Sequence, residues 1–169
     1  VAAGKPAIEL TVDQRSLERL RIRMAREEDG RKLKRELARN LRLAVEPALR
    51  EIRVGAREIQ RSSAQPRHVA AGSLGDAIAN AVRAEVRMTG RFIGVRVKAK
   101  TTPQTREFKQ APRRINAKQF RHRVFGRDVW VEQIGHPGFF DDPLRRGRRE
   151  YREACRKAMQ DMANRLAGR

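Results

Sequence analysis

The chain is short of sulfur, of aromatic rings and of long apolar runs, and each shortage removes a class of protein. One cysteine in 169 residues excludes an internal disulfide framework and makes a reducing compartment the expectation. Aromatic residues are only 5% of the chain, with a single Trp and a single Tyr, so a core has to be built chiefly from aliphatic side chains. No uncharged run approaches the roughly 20 residues of a membrane-spanning helix. The opening residues Val1 to Pro6 lack the apolar centre of a signal peptide, so neither a membrane protein nor a secreted one is expected. Acidic residues are scarce beside basic ones, 20 against 40, and lysine is scarce beside arginine, 8 against 32.

What remains is a net charge of +20, which calls for an anionic neighbour. Nucleic acid, an acidic protein surface and an anionic membrane all qualify, and charge by itself does not choose between them. Arginine suits planar, bidentate contact with phosphate or carboxylate, although a GC-rich genome raises arginine with no selection on chemistry.

Catalytic and metal signatures are missing. His68, His122 and His136 are scattered and no cysteine pair accompanies them, so no zinc pattern forms. His136 with Asp141 and Asp142 reads as a set of turn and cap residues rather than a cation site. Gly72 to Gly75 lacks the Gly-Lys-Ser/Thr ending of a phosphate loop, and no serine sits in an elbow motif. Catalytic residues, metals and cofactors are therefore all expected to be none.

Periodicity places the elements. Ile8, Leu10 and Val12 alternate with polar residues as a half-buried strand does, and Asp13 offers a cap for a helix carrying Leu17, Leu20 and Met24. Asp29-Gly30 breaks that helix. A longer one follows, with Leu33, Leu37, Leu41, Ala44, Ala48, Ile52 and Ile59 on one side. At 100° per residue, Arg31, Arg35, Arg39, Arg42, Arg50, Arg53, Arg57 and Arg61 gather within roughly 120° on the other. Pro47 removes a backbone donor and crowds the Leu43 carbonyl, which predicts a kink or two helices meeting there.

Residues 62–72 read as a linker, and Ser73-Leu74-Gly75-Asp76 as a capping box opening a short helix through Ala77, Ile78, Ala81 and Val82. Val86 and Met88, then Thr89-Gly90-Arg91, then Ile93, Val95, Val97 and Ala99 predict a hairpin. Residues 100–119 have no sustained period and predict a flexible loop or arm. Val129 to Ile134 reads as a strand, and Asp142-Pro143 as the start of a last helix whose stripe is Leu144, Tyr151, Cys155, Ala158, Met162 and Leu166.

The arginine stripe has two readings: a surface facing DNA or an acidic partner, or the solvated side of an amphipathic helix. The aromatic residues have three. Phe120, Phe125, Trp130, Phe139 and Phe140, set among glycines and prolines, read as core or as contacts between subunits, since large side chains with few rotors lose little entropy on burial. Stacking on single-stranded nucleic acid is the third, which usually needs aromatics on a strand face among basic residues.

The segment that holds those aromatics is similar to a known family. Arg121-His122-Arg123-Val124-Phe125-Gly126 followed by Val129-Trp130-Val131, then Gly135-His136-Pro137-Gly138-Phe139-Phe140-Asp141-Asp142-Pro143-Leu144, and earlier Ala71-Gly72-Ser73-Leu74-Gly75-Asp76-Ala77-Ile78, together resemble the tail-completion proteins of long-tailed phages. That group is of the lambda protein Z type, and this version looks most like relatives from phages of actinobacteria. Those relatives commonly carry proline where Arg123 stands, and the wider family has Glu-Phe-Gly-Thr near Glu132-Gln133-Ile134-Gly135.

The resemblance implies a structural virion protein of the neck or tail top. It would form a closed ring with itself, a hexamer or a dodecamer, and join the head connector or stopper to the tail-terminator protein. It would touch genomic DNA nonspecifically in the channel, with host cytoplasm as the site of assembly. The alternative from another class is a non-viral basic nucleic-acid-binding protein, for which no helix-turn-helix spacing is present. The fold expected is α+β: one domain over residues 1–169, with a small antiparallel sheet of the hairpin and the 129–134 strand packed by a long N-terminal helix and a C-terminal helix.

Overall fold

Asp13 starts the first helix by giving its side chain to the exposed amides: its carboxylate accepts from the backbone N–H groups of Arg15 and Ser16. Two of the four orphan donors of a helix start are satisfied this way. In the computed structural model the residues described are 9–10, 13–58, 74–89, 94–100, 111–116, 118–123 and 130–168. Their elements run β1 (Glu9–Leu10), α1 (Gln14–Arg26), α2 (Gly30–Ala44), α3 (Glu46–Glu58), α4 (Leu74–Ala81), β2 (Val82–Arg87) and β3 (Gly94–Ala99). Then come α5 (Ala111–Ile115), β4 (Gln119–Arg123), β5 (Trp130–Ile134), α6 (Asp141–Arg146) and α7 (Arg148–Ala167). The fold is α+β, mostly helical, with a two-stranded antiparallel sheet and a long C-terminal helix.

Contacts divide the chain into two compact units: Val1–Ala48, Ala84–Val97 and Arg146–Arg169 in the first, Leu49–Arg83 and Lys98–Arg145 in the second. The first unit is organised by three helices, α1, α2 and α7, each packed on the other two. Leu17, Leu20 and Met24 of α1, Leu33, Leu37 and Leu41 of α2, and Tyr151, Cys155, Met159, Met162 and Leu166 of α7 are buried. These positions recur every three or four residues, so each helix turns one apolar stripe inward. Burying a side chain of the Leu or Met class contributes about 1.5–3 kcal/mol. Arg165 of α7 reaches Glu36 of α2 in an ion pair at the rim.

The second unit gathers Ile52 and Ala56 of α3, Ile78 and Ala79 of α4, Ile115 of α5 and the Phe139-Phe140 turn. α3 and α4 meet at Gly75, where an added Cβ would lie 2.4 Å from the Ala56 carbonyl oxygen. No side chain fits between those backbones. The end of β3 is tied to the end of α4 by the Lys100 N–H, which donates to the Ala81 carbonyl at 3.1 Å.

The predicted kink at Pro47 is a break between two helices. Val45 leaves helical geometry at φ −108° and ψ 3°, and Pro47 falls in the first turn of α3, where its missing N–H would have had no partner in any case. Val82 begins β2 rather than ending α4.

Three expectations need correction. The strand at 130–134 does not join the hairpin: the strand orders are β1-β3-β2 in one sheet and β4-β5 in the other. β5 pairs antiparallel with β4, with Phe120 opposite Gln133 and Arg123 opposite Trp130, and β1 pairs with β3 through Glu9–Arg96 and Leu10–Val95. The expected arm at 100–119 holds structure in its second half, where Ala111–Ile115 is helical, Ile115 is fully buried and Gln119 opens β4. A five-residue helix completes too little of a turn repeat to show a period. The last helix is two, α6 and α7, parted at Gly147. The linker at 62–72, the cap at Ser73, the turn at 90–93 and residues 101–110 of the 100–119 loop lie outside the described residues, as do Ile8 and Val12.

Candidate interaction surfaces

Arg31, Arg35, Arg39 and Arg42 all lie on α2 and are exposed. The spacing that buries Leu33, Leu37 and Leu41 leaves these arginines on the outside, each about one turn from the next. Arg35 donates from Nε to the Arg31 carbonyl at 3.3 Å, which stiffens that side chain along the helix without neutralising it.

Arg50, Arg53 and Arg57 lie on α3. Arg53 is half-buried and donates from Nη2 to the Val82 carbonyl at 3.1 Å. Arg57 donates from Nε to Asp76 Oδ1 at 3.1 Å, with both side chains about half exposed. These two arginines tie α3 to α4 and to the start of β2, so their work is internal to the second unit. Arg61 lies outside the described residues. Because α2 ends at Ala44 and α3 starts at Glu46, the single arc of eight arginines applies to each helix separately and not across Val45.

The aromatic turn is built from long-range bonds. The His136 N–H donates to the Ile115 carbonyl at 2.8 Å and the Gly135 N–H to the Lys118 carbonyl at 3.0 Å. Asn116 donates from Nδ2 to Asp141 Oδ2 at 2.8 Å, while its Oδ1 accepts from the Phe140 N–H at 3.4 Å. Gly138 takes φ +82°, and an added Cβ there would lie 2.1 Å from Asp142 Oδ2. The exposed Asp142 side chain can move aside, so it is the positive φ that favours glycine here.

Phe139 and Phe140 are 4% and 5% exposed, their rings meeting edge-on at 6.2 Å and 80°, with Gly55 of α3 close to the Phe139 Cβ. Both are core residues of their own unit, the first of the three readings given above. They do not offer an exposed contact to another subunit. Phe125, and the side chains of Phe120 and Trp130, lie outside what is described. Asn116 was invisible in the sequence, since an isolated Asn after a short helix carries no periodic or motif signal.

His136 and Asp141 act as turn residues in this arrangement, and among the described residues no three His, Cys, Asp or Glu side chains converge on a point. Cys155 is fully buried on α7, and burial pushes its thiol up from 9.0 to about 11. It is a small apolar side chain at neutral pH, not a thiolate. Among the described residues no helix is long and apolar enough to cross a membrane. Comparison with profiles of known protein families, with curated proteins and with solved structures finds no match for this chain.

Proposed function

We propose that the chain is a structural protein of the phage neck or tail top, a ring subunit that joins the head connector to the tail. The observation that carries the reading is the turn Gly135 to Leu144: its Gly, Pro, Phe-Phe and Asp-Asp-Pro residues resemble the tail-completion family, and it leads into the C-terminal helices. Further support comes from α2, whose exposed Arg31, Arg35, Arg39 and Arg42 present closely spaced positive charge. Like charges at that spacing repel one another unless an anionic surface approaches.

In this reading the protein works by shape and charge. Each subunit presents one surface to the next and the contact closes by rotation into a ring of about six or twelve copies. The α2 arginines brace acidic groups of the connector, stopper or tail terminator, or face the passing genome, where arginine contacts to phosphate are independent of base sequence. The test is a virus carrying Arg31→Glu, Arg35→Glu, Arg39→Glu and Arg42→Glu together. Heads and tails should accumulate unjoined while the purified subunit keeps its helical circular dichroism. Normal infectious yield would contradict the reading. Sequence-selective binding of duplex DNA by the isolated chain would favour a nucleic-acid-binding protein instead.

A further inference from the structure

The first unit contains a second basic feature, unconnected with the α2 arginines. Between α1 and α7 runs a groove of about 640 Å³. One wall carries Arg19 and Arg23 of α1, the other Arg152 and Arg156 of α7, and the floor between them includes Leu20 and Met159. Within each wall the two arginines are four residues apart, which places them one above the other on the same helix face. The groove is therefore a pair of charged rails with an apolar floor.

All four arginines are exposed. Arg156 has only a surface partner, Glu153 at 3.2 Å, a class of pair that holds its partner weakly. Among the described residues Arg23 and Arg152 have no ion-pair or hydrogen-bond partner. Leu20 and Met159 are 6% and 5% exposed, so only their outermost atoms show in the floor, beside the half-buried Ala163.

We infer that this groove is a docking site for an acidic amphipathic helix of a partner protein. Its carboxylates would pair with the arginine rails while its apolar side chains lie over Leu20 and Met159. Helix-in-groove recognition needs an apolar seat and anchors that repeat once per turn, and both are present. Arginine forks match carboxylates in bidentate geometry. A volume of this size is in the range of sites that take up several side chains. Nucleic acid fits less well, because its backbone has nothing to place on the apolar floor. The inference stands apart from the neck reading, since any partner with such a helix satisfies it.

The experiment is fluorescence anisotropy of the full chain with a labelled helical peptide of Glu, Leu and Ala, its Glu and Leu residues repeating at one-turn spacing. Competitors are the same peptide with Gln in place of Glu, polyglutamate, and a short duplex DNA. The acidic peptide should bind, and the Gln peptide and polyglutamate should each be weaker by about tenfold or more. Arg23→Glu with Arg152→Glu should cause a similar loss. So should Gln160→Trp, which fills the groove from an exposed position on its lining without changing charge. Arg113→Glu, on α5, should bind as the parent does. Circular dichroism of each variant confirms its folding. Absence of binding, equal binding of polyglutamate, or indifference to Gln160→Trp would overturn the inference. Displacement of the peptide by duplex DNA, with duplex binding lost in the same variants, would overturn it in favour of a nucleic-acid surface.

Discussion

Arginines that look alike in the sequence do different work in the two units. On α2, Arg31, Arg35, Arg39 and Arg42 project from a helix whose opposite face is buried, and all are exposed. On α3, at the same spacing, Arg53 reaches the Val82 carbonyl and Arg57 reaches Asp76. The difference lies in what the fold brings alongside: α4 and the first residue of β2 supply acceptors for α3. A charged stripe is thus two kinds of surface, one available to partners and one used to hold the unit together. Where an arginine has a buried or half-buried carbonyl to satisfy, its removal costs stability; where it does not, its removal costs binding.

The comparison can be broken in order of expected effect. Phe139→Ala removes a core ring of the second unit and should lower unfolding stability by about 3–5 kcal/mol, read by urea denaturation. A value near zero would return Phe139 to the surface-contact reading. Arg53→Ala should cost about 1–2 kcal/mol, because the Val82 carbonyl loses a charged donor, whereas Arg39→Ala should stay within about 0.5 kcal/mol. Equal losses would erase the distinction drawn between α2 and α3. Arg57→Ala, whose ion pair is half exposed, should cost about 0.5 kcal/mol or less, and less still at high salt.

The smallest effect at neutral pH concerns Cys155. Its thiol is raised to about 11 in the folded chain from 9.0, so the unfolded state loses its proton first. The stability this contributes is complete below pH 9.0 and is lost as pH rises toward about 11. Cys155→Ala, which has no thiol to ionise, should show a shallower loss of stability across that window than the parent. At pH 8 iodoacetamide should leave the native thiol unmodified and label it on addition of urea. Rapid labelling of the native chain would show that α7 does not bury it.

Local signals were legible in the sequence. Asp13 before Leu17, Leu20 and Met24 marked α1, and Pro47 marked the break between α2 and α3, because caps, proline and helical period act within a few residues. Signals that depend on distant partners were not. The Phe120 segment gave no sign of pairing with Gln133, nor Asn116 of holding Phe140 and Asp141, since each needs a neighbour more than ten residues away along the chain. The same limit hid the role of Arg53, whose acceptor lies 29 residues on. The groove between α1 and α7 was equally hidden, because its walls come from opposite ends of the chain. Met159 was missed on the α7 stripe for a local reason: Ala158, beside it, fits the same helical period and is only half-buried.

The measurement that bears most directly on the proposed function is quantitative mass spectrometry of gradient-purified phage particles from a lysate encoding this chain. The account predicts a reproducible count of about six or about twelve copies per particle, as a closed ring requires. Absence of the chain from finished particles, with all of it left in the soluble fraction, would contradict it.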